Sequence, residues 1–121
     1  MKLRIKGNSL RLRLTKSDVE NLCSASYLED STSFGANTFK YILQSKAASD
    51  FSAEFNNGII TIYMPSSFIN GWNKNDVVGF NSAPTNEDTP YILVEKDFKC
   101  LDETTEDQSD NFENPHTTCQ E

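Results

Sequence analysis

The chain is poor in cysteine and histidine and contains no long hydrophobic run. Its 121 residues include three cysteines and one histidine. The start, MKLRIKGNSLRLRL, alternates charge with leucine and lacks the continuous apolar segment of a secretory signal. An odd number of cysteines without such a signal predicts free thiols in a cytoplasmic protein. No apolar run approaches the roughly 18 residues that a membrane-spanning helix needs.

The familiar catalytic signatures are also absent from the sequence. It has no phosphate-binding loop, dinucleotide fingerprint, nucleophile elbow or pair of histidines. His116 is the only possible imidazole base, and no activated nucleophile stands near it in the sequence. Catalysis is therefore not favoured, and no cofactor is predicted.

The charges are divided unevenly along the chain, whose formal net charge is -7. Residues 1–94 hold nine acidic and nine basic side chains, whereas residues 95–121 hold nine acids against two lysines. Residues 1–16 carry six cations and no acid. Because a negatively charged protein repels polyanions at long range, nucleic acid is not expected as a partner.

Near the start, the alternating runs KLRIK and SLRLRL flank Gly7-Asn8 and predict a β-hairpin with a two-residue turn. In this register one face is apolar and the other cationic. Like charges opposite one another destabilise a strand pair, so the cationic face is expected to contact an anion, to contact the acidic end of the chain, or to lie open to solvent. Its residues, the candidate anion-facing or tail-contacting surface, are Lys2, Arg4, Arg11 and Arg13.

The remaining patterns predict a mainly β (α+β) fold. We expect one domain over residues 1–121, with a small, strongly curved antiparallel sheet or barrel-like arrangement and one or two short helices packed on it. A second hairpin is predicted around Asn57-Gly58. The unbroken apolar run in PYILVEKDF predicts a central strand covered on both faces. No internal repeat is visible in the sequence.

Two helical segments are predicted. In TKSDVENLCSAS, a capping residue at the start precedes Val19, Leu22 and Cys23, which share the face expected to pack on the sheet. In PSSFINGW, a short helical turn is expected to stack Phe68 on Trp72, four positions later.

The C-terminal segment is acidic but also contains apolar residues, including Phe98, Leu101 and Phe112. These anchors predict an ordered acidic wrap over residues 99–115, with residues 116–121 frayed. The candidate acidic partner or pocket comprises Glu95, Asp97, Asp102, Asp107 and Asp110.

Three readings of function follow from these residues. The leading one is a non-enzymatic binding or interaction domain, with an unknown protein or small-molecule partner and with homo-oligomers left open. The alternative is a small metal-binding protein that uses Cys100, His116 and Cys119, although structural zinc sites have two close ligand pairs and only one is present here. The third is a small hydrolase or isomerase that uses the C-terminal carboxylates, which would require several of them to converge in a pocket.

Three stretches of the chain, LRLRLTKSDVENL, VVGF and ILVEKDFKCLDETTEDQSDNFENP, resemble an uncharacterised family of small, acidic bacterial proteins that carry a domain of unknown function. The similarity spans nearly the whole chain, and the part from EKDFKCL to DNFENP is the most specific. The resemblance implies an ordered C-terminal segment, because a flexible tail would hardly be a family hallmark. It implies no activity, substrate or cofactor.

Overall fold

The structure is a computed structural model that describes residues 1–83 and 87–98. The described part is mainly β, with two short α-helices and a 3₁₀ helix, which confirms the predicted fold class. In chain order the elements are β1 (Lys2–Lys6), β2 (Ser9–Leu14), α1 (Lys16–Ala25), β3 (Tyr27–Ser33), β4 (Thr38–Lys46), β5 (Ser52–Asn56), β6 (Ile59–Pro65), α2 (Ser66–Ile69), the 3₁₀ helix (Trp72–Lys74), β7 (Gly79–Asn81) and β8 (Tyr91–Lys96).

The strands form two four-stranded sheets. The order is β1-β2-β8-β7 in the first sheet and β3-β4-β6-β5 in the second. Each sheet joins two antiparallel pairs through a central parallel pair, which is β2 with β8 in the first and β4 with β6 in the second. Because neither sheet closes on itself, the term barrel-like describes the fold only loosely.

Both predicted hairpins form with the expected turns. Gly7 has φ 54°, and Asn57 and Gly58 have φ 53° and 76°. Positive φ at these positions gives a turn whose twist matches that of the flanking strands, and glycine adopts it without a Cβ clash. In the first hairpin Arg4 lies opposite Arg11, as the alternation predicted.

The two halves of the chain repeat one backbone plan at an offset of about 50 residues. The pair Lys2–Arg13 in β1–β2 corresponds to Ser52–Tyr63 in β5–β6, and the same offset relates every other pair of the two hairpins. The pairing of β3 with β4 recurs between β7 and β8. Each sheet therefore takes one strand pair from each half. The repeat was not visible in the sequence, because different side chains fill equivalent positions.

The two α-helices occupy equivalent places and close one end of the shared core. α1 follows β2, and α2 follows β6. The buried residues Val19 and Leu22 have Ile69 and Trp72 as their counterparts fifty positions later, and all four are at most 5% exposed. The half-buried Cys23 packs against this core, as predicted, and its thiol donates to the Ile69 carbonyl at 3.3 Å.

Local hydrogen bonds explain where α1 begins. The Thr15 hydroxyl accepts from the Asp18 amide at 3.2 Å, and the Asp18 carboxylate accepts from the Thr15 amide at 2.9 Å. This reciprocal capping box satisfies two amides that the helix itself cannot. Burial acts to raise the pKa of Asp18. The terminal ammonium group of Met1, through its hydrogen bond and charge, and the hydrogen bonds with Thr15 outweigh burial, so the pKa lies below its ordinary value.

The aromatic residues after β6 pack differently from the expectation. α2 ends at Ile69 and Gly71 has φ 76°, so Phe68 and Trp72 do not share one continuous helix. Both rings instead pack on Phe80 of β7, with centroids 4.6 Å from Phe68 and 5.3 Å from Trp72. Phe51 also packs on Phe68, with centroids 5.8 Å apart, so the predicted stack is replaced by a four-ring cluster that needs β7.

The last described strand, β8, is central in its sheet, as predicted. Ile92 and Val94 are buried, but Tyr91 is 41% exposed and Leu93 is only half-buried. The expectation of cover on both faces is therefore wrong for the described structure. The outer face of β8 belongs to a surface that opens to solvent.

Candidate anion-binding site

The outer face of the first sheet concentrates positive charge. Because side chains alternate along a strand, Leu10, Leu12 and Leu14 of β2 enter the core while Arg11 and Arg13 lie on the outer face. Strand β1 pairs with β2 and places two further cations beside these arginines. The term cationic face is used below for Lys2, Arg4, Arg11 and Arg13.

Strand β8 brings a carboxylate to the centre of this surface. The parallel register sets Glu95 beside Arg13. One oxygen, Oε1 of Glu95, accepts from Nε of Arg11 at 2.7 Å and from Nε of Arg13 at 3.0 Å. The Glu95 side chain is 15% exposed and both arginines are 26% exposed, so these charge-assisted bonds are partly shielded from water. The carboxylate therefore fixes the orientation of two guanidinium groups.

A second acid lies at the margin of the cationic face. The Asp97 carboxylate is 3.1 Å from Nζ of Lys2, and the Asp97 amide donates to the Leu14 carbonyl at 2.8 Å. Since the Lys2 side chain is 51% exposed, this pair contributes only about 0.2 to 1 kcal/mol. The structure thus brings Glu95 and Asp97 to the cationic face. The other candidate acids, Asp102, Asp107 and Asp110, lie outside the described residues.

A shallow groove of about 360 Å³ runs over the cationic face. It is lined by the four cations and Leu3. A neighbouring depression of about 230 Å³ extends it over Tyr91 and Leu93 toward Lys6. Guanidinium groups fit carboxylate and phosphate oxygens through paired N–H donors. The groove is therefore suited to an extended anionic ligand with some apolar surface.

The second sheet lacks this concentration of positive charge at the same backbone positions. The position of Glu95 is taken there by Gln44, which pairs with Tyr63. The Tyr63 hydroxyl donates to the Glu54 carboxylate at 2.8 Å. The same register therefore forms without a cationic face. Position by position, the residues equivalent to the cationic face are Ser52, Glu54, Thr61 and Tyr63.

An apolar groove of about 380 Å³ lies between the two hairpin turns, at the end of the core away from the helices. Ile5 and Phe55, which occupy equivalent positions in the two halves, line it and are 55% and 65% exposed. Leu10 and Ile60, also equivalent, lie deeper in its wall. The groove is thus built from both halves of the repeat.

No metal site is formed by the described residues. Within 1–83 and 87–98, no three side chains of His, Cys, Asp or Glu converge as ligands. Cys23 is a free thiol. The candidate ligands Cys100, His116 and Cys119 lie outside the described residues. None of the described helices is long and apolar enough to cross a membrane.

Comparison with known proteins connects this fold to a family. The model of a family of unknown function, DUF7009, matches residues 1–116. The chain belongs to the DUF7009 family. This confirms the resemblance to an uncharacterised domain of unknown function. No curated protein and no solved structure matches the DUF7009 chain.

Sequence patterns predicted only part of the groove over the cationic face. The alternation in the first hairpin identified the four cations, because the turn fixes their register locally. It did not identify Tyr91 and Leu93, since their approach to β2 depends on a parallel pairing across eighty residues. The available signal was the alternation in YILVEK, which places Tyr91, Leu93 and Glu95 on one face of a strand.

Proposed function

We propose that the DUF7009 domain is a cytoplasmic, non-enzymatic binding domain that holds a carboxylate-rich segment of a partner protein on its cationic face. One observation carries the proposal. The repeat forms an equivalent pair of strands in the second sheet with Glu54 and Thr61 where the first sheet has Arg4 and Arg11. The fold therefore does not need opposed arginines, which by themselves destabilise a strand pair. Glu95 already supplies a carboxylate to Arg11, and an acidic partner segment would supply further carboxylates to the same face.

The contacts of the cationic face support a carboxylate as its ligand. Glu95 already receives N–H donors from Arg11 and Arg13, and Asp97 pairs with Lys2. An acidic polypeptide bound on this face would contact the same guanidinium and ammonium groups. Nucleic acid fits less well, because the net charge of -7 opposes the approach of a long polyanion.

Protection of a sheet edge is the main structural explanation for such cations. Charged side chains on an exposed edge strand prevent pairing with another sheet. This accounts for Lys2, Arg4 and Lys6, because β1 is an edge strand. It does not account for Arg11 and Arg13, because β2 lies between β1 and β8. Arg11 and Arg13 pair with Glu95 within the molecule, and this is the carboxylate chemistry that an acidic partner segment would use.

The test is binding of a fluorescein-labelled deca-glutamate peptide to the full chain, followed by anisotropy at low and high salt. Loss of one arginine contact in Arg4→Gln should weaken binding about tenfold. Lys40→Gln is the matched control, since Lys40 is a cation of the second sheet that pairs with Glu29. Binding should also fall at high salt, where exposed charges are screened. Equal affinities for Arg4→Gln and the parent chain would overturn the proposal.

The metal-binding alternative rests on Cys100, His116 and Cys119. Elemental analysis of untagged protein tests it. One equivalent of zinc, lost on Cys100→Ser, would favour that function over the binding domain proposed above.

A further inference from the structure

Two large apolar side chains are exposed at the end of the core away from the helices. Ile5 of β1 is 55% exposed and Phe55 of β5 is 65% exposed, and both line the apolar groove of about 380 Å³. Apolar residues exposed singly are common on protein surfaces, whereas exposed apolar residues gathered around one groove are typical of an interaction site. The groove is large enough to hold an anchoring side chain of a partner.

The apolar groove adjoins the cationic face. The depression of about 230 Å³ that extends the cationic face over Tyr91 and Leu93 shares two lining residues, Ser9 and Leu10, with the apolar groove. Because these residues open β2, the two cavities lie side by side at the start of that strand. One ligand can therefore place a charged group in the depression and an apolar group in the groove.

Lys6 supplies positive charge where the two cavities meet. It lines the depression and pairs with Ser9 across the first hairpin. Its neighbour Ile5 lies on the opposite face of the strand and lines the apolar groove. The Lys6 side chain is exposed, and within residues 1–83 and 87–98 it pairs with no acid. Its ammonium group is thus available to a carboxylate of a ligand.

The opposite side of the apolar groove carries negative charge. Glu54 lines the groove next to Phe55, and its carboxylate accepts a hydrogen bond from the Tyr63 hydroxyl at 2.8 Å. A carboxylate of a ligand is repelled there and attracted at Lys6. The charges therefore orient an amphipathic ligand, with its anionic group on the side of the first sheet and its apolar group between Ile5 and Phe55.

We propose, on the basis of the function proposed above, that the acidic segment of the partner protein carries a large apolar side chain that enters the groove between Ile5 and Phe55. A carboxylate close to it in the segment contacts Lys6. Since an extended chain advances about 3.3 Å per residue, the two partner residues are adjacent or separated by one position. The cationic face attracts acidic segments in general, and the apolar groove selects among them.

The first experiment compares two fluorescein-labelled peptides on the full chain by anisotropy. One is deca-glutamate with a central residue replaced by phenylalanine, and the other has alanine at that position, so that both carry the same charge. The phenylalanine peptide should bind about tenfold more tightly, because it buries an aromatic ring that alanine lacks. Equal affinities of the two peptides would overturn the inference.

The preference for phenylalanine should depend on the wall of the groove. In Phe55→Ser it should fall to about threefold or less, with the affinity for the alanine peptide unchanged. Phe34→Ser is the matched control, since Phe34 is 70% exposed and does not line the groove. A preference that Phe55→Ser and Phe34→Ser affect equally would contradict the inference.

The contact with Lys6 is tested with the same two peptides. Lys6→Gln should weaken both of them about threefold at low salt, because one exposed charge contact is lost. Unchanged binding of both peptides to Lys6→Gln would contradict the proposed orientation of the segment.

The second experiment locates the apolar side chain of the bound peptide. Benzoylphenylalanine replaces the phenylalanine, and light-induced cross-links to the full chain are mapped by mass spectrometry. The cross-links should fall on Ile5, Phe55 or Pro90, which line the groove. Cross-links concentrated on apolar residues exposed elsewhere, such as Phe34 or Val78, would overturn the inference.

The experiments separate the inference from the proposed function. Arg4-dependent binding of deca-glutamate without any preference for phenylalanine would overturn the inference and leave the proposed function standing. A Phe55-dependent preference without dependence on Arg4 would overturn the proposed function and leave the apolar contact standing.

Discussion

The two sheets of the DUF7009 domain share one strand plan and differ in the chemistry of their outer faces. In the first sheet, Arg4 opposes Arg11, and Arg11 donates to the Glu95 carboxylate. In the second, Glu54 opposes Thr61 at the equivalent positions. Because the backbone pairing is the same, the difference separates what the fold requires from what the surface adds. The fold requires the alternation of buried apolar residues, and the cations are an addition.

The inner faces show the opposite relation, because equivalent residues there stay apolar. Leu12 and Ile62 are 0% exposed at equivalent positions of β2 and β6, and Leu22 and Trp72 are 0% exposed at equivalent positions near the helices. Their shapes differ, but each fills the shared core. The repeat is thus kept in burial and lost in side-chain identity.

The largest expected effect tests whether both halves close the core equally. Trp72→Ala should lower the free energy of unfolding by about 3 to 5 kcal/mol, and Leu22→Ala by about 2 to 5 kcal/mol, because each leaves a cavity in a packed interior. Urea unfolding followed by circular dichroism measures both. Asn21→Ala, at an exposed site of α1, is the control and should change little. A loss below about 1 kcal/mol at either core site would contradict the equivalence of the halves.

The next effect sharpens the contrast between the outer faces. Glu95→Gln removes the charge that holds Arg11 and Arg13, and it should cost about 1 to 3 kcal/mol, because partly buried charge-assisted bonds are lost. In the second sheet, Glu54→Gln alters an exposed carboxylate bonded to Tyr63 and should cost less than about 0.5 kcal/mol. Both are measured by urea unfolding at low salt. Equal losses of unfolding free energy in the two variants would show that Glu95 does not stabilise the first sheet through Arg11 and Arg13.

Sequence patterns predicted the parts of the fold that depend on near neighbours. The two hairpins follow from Gly7-Asn8 and Asn57-Gly58, and α1 follows from a capping residue before apolar residues at helical spacing. The division into two sheets was not predictable in this way. It rests on parallel pairings between strands far apart in sequence, such as β2 with β8.

Two strands gave little signal of their own. β3, with the sequence YLEDSTS, contains one half-buried residue and is otherwise exposed, so it lacks the apolar alternation that indicates a strand. β7 has three residues and is defined by its pairing with β8. The cationic face was predictable from local register, and Glu95 was predicted as a candidate acidic partner, but its contacts with Arg11 and Arg13 depend on the placement of β8.

A smaller effect on stability is expected in α1, which is longer than its counterpart α2 in the second half. α1 has ten residues and α2 has four. Asp18→Asn should cost about 0.3 to 1 kcal/mol at neutral pH, because the first turn of α1 and the Met1 ammonium group, 2.9 Å away, both lose a negatively charged partner. Folding lowers the pKa of the Asp18 carboxyl. The charge of Asp18 therefore contributes fully to the free energy of unfolding at pH values above the ordinary pKa. This contribution is lost as the pH falls through the lower pKa of the folded state.

The pH dependence is measured by urea unfolding of both chains at pH 7 and at about pH 2.5. The difference between the parent chain and Asp18→Asn should shrink at the acidic pH. A difference that stays constant would show that the Asp18 charge does not contribute to stability, either through the cap or through Met1.

The most direct test of the central claim exchanges the outer face of β1 for that of β5. Lys2→Ser with Arg4→Glu installs the residues found at the equivalent positions of the second sheet. The free energy of unfolding and the affinity for deca-glutamate are measured on the same preparation. We predict a loss of stability of at most about 1 kcal/mol, because these side chains are exposed and the pair of Lys2 with Asp97 is lost, and binding weakened at least about tenfold. Loss of stability comparable to a core substitution, or unchanged binding, would contradict the account.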